Sequence, residues 1–354
     1  MKIVAVNAFL KDLALSKPYT IAWETISKVE NVFFEVILEN GITGIGAANP
    51  APEVVGEGPA DALEKLQKVY GDTLVGKDIR YFHQYIAQTR QQFPDSPGTQ
   101  ACIDIALHDA FGQWLGIPVA DYYGRFHERL PLSVTIGIKD EAGTLAEAAA
   151  YRNAGYHVLK VKTGLDVSAD VQRLKSIRKS FGDYFTIRVD ANMGYSLKDL
   201  EYFLSATKTC GLELIEQPLP VKEDQQLDAL PAATRKLLAA DESLKNASSA
   251  LSLAQNNRYG IFNIKLMKCG GITGALAIAG IAAPAGIDLF WGCNDESIVS
   301  ISAALHAAFS CAHTRYLDLD GSLDLAEDLV SGGFVIENGY MRTTGAPGLG
   351  FKKM

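Results

Sequence analysis

The stretch from Lys160 to Lys265 decides the fold, because short apolar runs recur in it at a nearly constant interval. The runs are HVLKVK (157–162), FTIRVDA (185–191), LELIEQP (212–218), LLAADES (237–243) and GIFNIKL (260–266). Each ends in charged or amide side chains, and about 24 to 28 residues separate successive ends. A strand, a helix and two loops need about that length. Successive βα units place such ends at one mouth of a (β/α)₈ barrel, where these folds carry their chemistry.

The flanking residues complete this barrel and add a second domain. PLSVTIGI (131–138) supplies the first strand, IDLFWGCND (287–295) the seventh and RYLDLD (315–320) the eighth. Residues 1–125 read as a small sheet followed by helices, with a hairpin turn at Asn40-Gly41. The turn-rich tail, 330–354, is too short to fold alone. We therefore expect an α/β protein: a modified (β/α)₈ TIM-like barrel over 126–329 and an N-terminal α+β capping domain that the tail completes.

Two segments of the capping domain are candidates for covering the barrel mouth. Ser16–Glu24 is polar and aromatic and is too long for a turn, so we expect a loop there, either a lid or an ordinary surface loop. The second segment, NPAPEVVGEG (49–58), is rich in proline and glycine.

Composition excludes several classes of protein. The net charge of −8 over 354 residues, with no basic block, argues against a nucleic-acid surface. No apolar run approaches the ~20 residues of a membrane-spanning helix. The five cysteines are scattered without a Cys-x-x-Cys pair, which favours a reducing compartment, and we expect the cytoplasm.

Three carboxylates end three adjacent predicted strands: Asp190, Glu216 and Asp241. Without a cation they would repel and raise one another's pKa. Mg²⁺ accepts oxygen ligands and keeps positions open for water or substrate, so the sequence predicts a magnesium site.

Two lysines, Lys162 and Lys265, end the second and sixth strands and would face each other across the mouth. A lysine base needs a pKa lowered from about 10.4 toward ~7–8, and both Mg²⁺ and the neighbouring Lys160 would disfavour the ammonium form. Two such lysines suit proton removal from one face of a carbon and return to the other. A Schiff base on one of them would leave the three carboxylates without a role.

The set Lys160-x-Lys162, Asp190-x-Asn192, Glu216-Gln217-Pro218, Asp241-Glu242-Ser243 and Asn263-Ile264-Lys265, with Gly270-Gly271-Ile272, resembles the muconate-lactonizing subgroup of the enolase superfamily. The resemblance covers essentially the whole chain. It implies Mg²⁺ ligation by the three carboxylates and an enediolate intermediate stabilised by the metal. It also implies acid/base roles for Lys162 and Lys265, with Lys160 supporting the substrate carboxylate.

Within that subgroup, Asp318-Leu319-Asp320 resembles the Asp-x-Asp signature of dipeptide epimerases such as L-Ala-D/L-Glu epimerase. Alternate residues of a strand share one face, and two carboxylates there suit a substrate ammonium group. The chain departs from that enzyme where its first loop carries an arginine: the position falls on Glu24, beside Trp23. A glutamate there would repel an acidic side chain.

We therefore expect a dipeptide epimerase that inverts the C-terminal residue of L-Ala-L-Xaa dipeptides. Trp23, with Val54 and Val55, favours a hydrophobic Xaa, and a cationic Xaa paired with Glu24 is the alternative. Asp295 adds negative charge of unassigned role. The expected partners are this small substrate and further copies of the chain, without nucleic acid or membrane.

Other activities remain open on the same scaffold. An N-acylamino acid racemase, an o-succinylbenzoate synthase or a cycloisomerase would share the enediolate but would bind no ammonium group. An acid-sugar dehydratase would be expected to use a His–Asp base, whereas Lys265 ends the sixth strand here. A binding protein without catalysis is the alternative from a different class.

Overall fold

The computed structural model describes residues 1–20, 25–69 and 73–354. The N-terminal sheet is antiparallel and comprises β1 (Ile3–Thr20), β2 (Thr25–Leu38) and β3 (Thr43–Ala48). The predicted hairpin between β2 and β3 is confirmed. Gly41 adopts a φ of 85° that favours glycine, and its N–H donates to the Leu38 carbonyl at 2.9 Å.

The prediction of a loop that begins at Ser16 is wrong. Ser16–Thr20 continues β1, and Tyr19 and Thr20 pair with Ile26 and Thr25 of β2. The ladder shifts register between Ala14 and Tyr19. Pro18 lies within this irregular part of the ladder, and a proline has no N–H to donate to a neighbouring strand. The predicted substrate residues Trp23 and Glu24 lie outside the described residues.

A buried helix organises the capping domain. The helices are α1 (Pro52–Val55), α2 (Pro59–Gln67), α3 (Phe82–Gln92), α4 (Pro97–Leu115) and α5 (Val119–Tyr123), with a 3₁₀ turn at Ile79–Tyr81. α4 ends at Gly116, which adopts the left-handed conformation that favours glycine at a helix end. On α4, Asp104 accepts the Ile272 N–H at 2.7 Å, and Asp109 accepts the N–H groups of Ile45 and Leu349 at 3.0 and 2.9 Å. One helix therefore ties together the cap sheet, the barrel and the tail.

A short strand, β4 (Leu130–Pro131), precedes the barrel. Among the described residues, eight parallel strands follow in chain order, and a bridge between Leu132 and Leu317 brings the first strand to the last, so that the sheet nearly closes. These strands, all predicted, are β5 (Ser133–Ile136), β6 (Val158–Lys162), β7 (Thr186–Asp190), β8 (Leu212–Glu216), β9 (Leu238–Ala240), β10 (Ile261–Ile264), β11 (Asp288–Trp291) and β12 (Thr314–Leu317).

Helices fill the intervals between these strands. They are α6 (Glu141–Asn153), α7 (Val167–Phe181), α8 (Leu197–Ala206), α9 (Ala232–Arg235), α10 (Ala247–Asn256), α11 (Leu266–Cys269), α12 (Ile272–Ala285) and α13 (Ile298–Phe309), with 3₁₀ segments at Lys208–Cys210 and Val221–Ala229. None of the described helices is both long enough and apolar enough to cross a membrane.

The tail packs on the capping domain, as expected. Its strands are β13 (Val330–Gly332), β14 (Phe334–Glu337), β15 (Tyr340–Thr343) and β16 (Phe351–Lys353); β13 pairs with β16, and β15 lies between β14 and β4. The Gly348 carbonyl accepts the Val119 N–H at 2.9 Å, and Lys353 forms an ion pair with Glu35 of β2. The domain division at residues 125 and 330 stays a prediction.

Apolar side chains close the barrel interior below the mouth. This layer contains Leu214, Ala239, Ile261, Phe290 and Tyr316. Arg188 is buried beside it, with its guanidinium over the rings of Phe290 and Tyr316 at 5.6 and 5.1 Å. The carboxylates and lysines predicted to carry the chemistry lie at the other, C-terminal end of the barrel.

Candidate active site

Five predicted site residues end neighbouring strands. Lys162, Asp190 and Glu216 are the last residues of β6, β7 and β8 and stand side by side in the sheet register. Asp241 directly follows β9, and Lys265 directly follows β10. Because parallel strands present their C-terminal ends at one edge, the side chains predicted to act together lie at one mouth.

Lys160 lies one layer deeper and connects the carboxylates. Its buried Nζ is 2.8 Å from Glu216 Oε2, 3.1 Å from Asp190 Oδ2 and 2.8 Å from Asp318 Oδ2. Burial alone would lower the pKa of Lys160, but Asp318, Glu216 and Asp190 outweigh it and hold that pKa well above its ordinary value. Lys160 is therefore a fixed positive charge below the mouth.

The outer lysines each pair with one carboxylate. Lys162 Nζ donates to Asp190 Oδ2 at 2.7 Å and to Asn192 Oδ1 at 3.0 Å. Lys265 Nζ lies 3.0 Å from Asp241 Oδ2. Burial would lower the pKa of Lys265, yet the Asp241 charge raises it overall. For Lys265 this direction is opposite to the lowered lysine pKa expected from the sequence, an expectation that counted on a bound Mg²⁺.

Sequence reasoning missed Lys268, which holds Asp241 from below. Its Nζ donates to the Asp241 carbonyl at 2.6 Å, to the Asn263 carbonyl at 3.2 Å and also to Asp241 Oδ1. Its position one helical turn after Lys265, on α11, was the available signal.

Three features of the carboxylates fit a divalent cation. Burial and the Asp190 charge raise the pKa of Glu216 to about 8. Glu216 Oε2 is buried and accepts no hydrogen bond of good geometry from the described residues, although Lys160 is close. The donor set is all oxygen, which suits Mg²⁺. Within the described residues, no three acidic, histidine or cysteine side chains converge as a ready metal cluster, and lysine ammonium groups lie between the carboxylates instead.

Asp318 and Asp320, predicted on the eighth strand, instead follow it, because β12 ends at Leu317. The two aspartates are not equivalent. Asp318 is buried, with Oδ2 bonded to Lys160 and Oδ1 accepting the Ser133 hydroxyl at 2.5 Å. Asp320 is partly exposed and accepts the Thr135 N–H at 2.8 Å. Burial of its carboxylate and the Asp318 charge raise the pKa of Asp320 to about 7.

A cavity of about 450 Å³ opens from Lys265 to the capping domain. Val54 and Val55 line it, as predicted. The cavity is also lined by polar residues for which no role was predicted from the sequence, among them Glu53, Glu242, Lys245 and Asn294. One of these four residues lies in the second capping segment and three lie in loops after barrel strands. These locations were the only sequence feature that could have indicated a place at the cavity. Asp295, also predicted, follows Asn294 in the loop after β11.

Two family descriptions match the chain: Mandelate racemase / muconate lactonizing enzyme, N-terminal domain, over residues 4–124, and Enolase C-terminal domain-like, over residues 143–353. The chain belongs to the enolase superfamily. Similar members of this superfamily include L-Lys-D/L-Arg epimerases from Desulforapulum autotrophicum, 50% identical over 100% of both chains, and from Methylococcus capsulatus, 44% identical over 99% of both.

A solved structure is equally similar. It is a dipeptide epimerase from Methylococcus capsulatus complexed with Mg and the dipeptide L-Arg-D-Lys; the TM-score is 0.96 and the identity 44%, over 99% of each chain. The enolase-superfamily resemblance and the epimerase class predicted from the sequence are confirmed. The chain is an isomerase.

Proposed function

We propose that this protein is a Mg²⁺-dependent epimerase of dipeptides whose side chains are cationic. The observation that carries the substrate class is the cavity beside Lys265, which presents carboxylates from both domains: Glu53 from the cap and Glu242 from the barrel. The names of the two relatives and the ligand of the similar structure support the same class.

Asp190, Glu216 and Asp241 would hold the metal. Their oxygens are gathered at three adjoining strand ends, and Lys160 and Lys268 fix them from below. When bound there, Mg²⁺ would take up the negative charge that develops on the substrate carboxylate as its α-proton leaves.

Lys162 and Lys265 would move the proton. They rise from strands on opposite sides of the three carboxylates, so a substrate α-carbon between them meets one ammonium or amine on each face. In the L-to-D direction one lysine takes the α-proton and the other donates a proton to the opposite face. The roles exchange in reverse. Lys160 is surrounded by Asp190, Glu216 and Asp318, which keep it protonated. It would therefore supply positive charge for the substrate carboxylate without exchanging protons.

The free amino group of the substrate would meet Asp320. Both oxygens of Asp318 already accept hydrogen bonds, from Lys160 and Ser133, so Asp318 would hold Lys160 in place and not bind the substrate directly. Asp320 is a partly exposed residue beside it, and its carboxylate accepts only the Thr135 N–H among the hydrogen bonds described above. The sequence analysis assigned the ammonium group to both aspartates; we now propose that Asp320 makes the direct contact.

The placement of two carboxylates in the cavity, Glu53 and Glu242, favours a cationic substrate residue over a hydrophobic one. Three lysines also line the cavity, and each has a partner: Lys265 and Lys268 pair with Asp241, and Lys245 donates to the Val54 carbonyl at 2.9 Å. Glu242 Oε2 is buried and lacks a hydrogen-bond partner among the described residues, a costly state that an incoming ammonium or guanidinium group would relieve. The hydrophobic preference stays a prediction, resting on Val54 and Val55.

Matched dipeptides test the substrate class. We expect kcat/KM for L-Lys-L-Arg and L-Lys-L-Lys to exceed that for L-Lys-L-norleucine, which keeps the aliphatic stem without the charge, by at least about tenfold. Glu53→Gln should narrow this ratio, and Glu39→Gln, an exposed control on the β2–β3 turn, should leave it unchanged. Equal kcat/KM values for dipeptides with a charged and an uncharged second residue would instead support the hydrophobic alternative.

The remaining alternatives predict different substrates. An N-acylamino acid racemase or o-succinylbenzoate synthase-like enzyme would act on substrates without an ammonium group and would be insensitive to Asp320→Asn. A barrel that only binds ligands would show no turnover, and failure to bind Mg²⁺ in a calorimetric titration would favour it.

A further inference from the structure

Two asparagines join the cap to the barrel at the edge of the cavity. Asn49 directly follows β3, and Asn294 lies in the loop after β11. Asn49 Nδ2 donates to the Asp295 carbonyl at 2.7 Å, and Asn294 Nδ2 donates to the Asn49 carbonyl at 3.1 Å. We call these two hydrogen bonds, which join Asn49 to the Asn294 side chain and to the Asp295 carbonyl, the amide latch.

The barrel side of the latch is fixed independently. The Asn294 backbone N–H donates to Glu296 Oε1 at 2.7 Å, and Glu296 is buried. Asn294 therefore projects its amide from an anchored loop. Asn49, by contrast, begins the segment 49–57, which leaves the cap sheet and lines one side of the cavity. The latch thus transmits the position of the barrel to the cap segment.

The segment 49–57 has little structure of its own. Its helix α1 is four residues long, far below the length at which a helix is stable alone. Beyond the latch, Lys245 Nζ holds the Val54 carbonyl at 2.9 Å, and Glu57 accepts the Gly98 N–H at 2.8 Å within the cap. Glu53 lies between the first two of these attachments, so its place over the cavity depends on them.

We propose that Asn49 and Asn294 are positioning residues that hold α1, and with it Glu53, over the subsite for the substrate side chain. Neither asparagine touches the reacting carbon. They act on the reaction by presenting the cap wall of the cavity at a set distance from Lys265. The part that concerns Glu53 rests on the proposed function; the positioning of α1 by the barrel does not.

Isosteric substitutions test the latch. Asn49→Asp and Asn294→Asp keep the shape and replace a donating amide by a carboxylate that faces a carbonyl oxygen. Each should raise KM for the best dipeptide about tenfold, with kcat within about threefold of the wild type, because α1 contributes binding and not proton transfer. Asn294→Ala removes the donor without adding charge and should act in the same direction. Gln255→Glu, the same chemical change at an exposed position on α10, should have no effect.

The double variant shows whether the two bonds form one device. If they do, the double variant Asn49→Asp with Asn294→Asp should raise KM little more than either single variant does. Additive losses, unchanged KM values, or a fall of kcat in step with the melting temperature would overturn the proposal.

A double-mutant cycle that combines Glu53→Gln with Asn294→Asp distinguishes a positioning role of the latch from a general loss of protein stability. In the wild type, Glu53→Gln should lower kcat/KM for the cationic dipeptide; in the Asn294→Asp background it should change little, because Glu53 is no longer held in place. A full Glu53 effect in that background would contradict the positioning role. If Glu53→Gln has no effect in the wild type, the cationic subsite fails, and the KM values of the latch variants alone decide the latch.

Discussion

Lys160 of β6 donates a hydrogen bond from Nζ to Asp318 Oδ2, just beyond β12, at 2.8 Å. The same ammonium group lies 2.8 Å from Glu216 Oε2. The second and eighth strands of the barrel are therefore connected through a buried charge directly below the proposed metal ligands. This arrangement places a buried cation beneath the mouth and occupies one oxygen of Asp318.

Lys160→Met should destabilise the metal-free protein by about 3–5 kcal/mol, because it leaves buried carboxylates without their cation. Added Mg²⁺ should reduce the difference from the wild type, since a bound cation would compensate the same charges. Urea unfolding with and without Mg²⁺ measures both effects. An unchanged unfolding midpoint without Mg²⁺ would mean that Lys160 does not carry this charge balance.

Lys162→Ala and Lys265→Ala should each reduce epimerisation by at least about 10³-fold, since a two-base inversion needs both partners. Lys198→Ala, at an exposed position on α8, is the control. Chiral chromatography of the product gives the rate. Full epimerisation by both active-site variants would rule out these lysines as the acid and base.

Asp320→Asn should raise KM for a free-amine dipeptide by about 10- to 100-fold, the effect of losing a charge-assisted hydrogen bond. The Asn side chain can still accept the Thr135 N–H, so the fold should persist. Asp324→Asn, exposed in the same loop, is the matched control. If N-acetylated and free-amine dipeptides lose activity equally, Asp320 does not bind the ammonium group.

His306 on α13 should make the fold sensitive to mild acid. Its buried Nδ1 accepts the Ala120 N–H at 3.0 Å, and burial with the nearby Arg125 charge lowers the pKa of His306 to about 3. The unfolded chain has an ordinary pKa of about 6.5, so the contribution is complete above pH 6.5 and is lost as the pH falls toward 3. The expected loss between pH 7 and pH 5 is about 2 kcal/mol.

His306→Asn should remove most of that pH dependence, because its side-chain oxygen accepts the same N–H without titrating. Thermal unfolding of both proteins at pH 5, 6 and 7 compares the slopes. Parallel slopes would assign the acid sensitivity to other groups.

The barrel and the ends of its strands were predictable because each strand ends in a polar group at a regular interval. Lys162, Asp190 and Glu216 had to be neighbours once their strands were adjacent and parallel. The continuation of β1 through Thr20 was not predictable, because the polar sequence that suggests a loop is also compatible with a pair of strands.

The finer organisation of the site depends on contacts that cross the barrel. Nothing near Asp318 in sequence indicates that Lys160 and Ser133 occupy both of its oxygens. These contacts form only because the closing barrel brings the end of β12 next to β5 and its neighbour β6. Glu53 and Asn294 are likewise far apart in the chain and become neighbours of one cavity through the docking of the cap. Local pattern carries no information on such contacts.

The most direct test of the account is hydrogen exchange at the substrate α-carbon. Wild-type protein with Mg²⁺ in D₂O is given L-Lys-L-Arg, its N-acetylated form, L-Ala-L-Leu and N-acylated single amino acids, and each is read by mass. We expect a gain of about one dalton in the C-terminal residue, through proton transfer by Lys162 and Lys265. The exchange should be fastest in L-Lys-L-Arg and should be abolished by chelation of Mg²⁺. Exchange only in the N-acylated amino acids, or exchange that persists without Mg²⁺, would contradict this expectation.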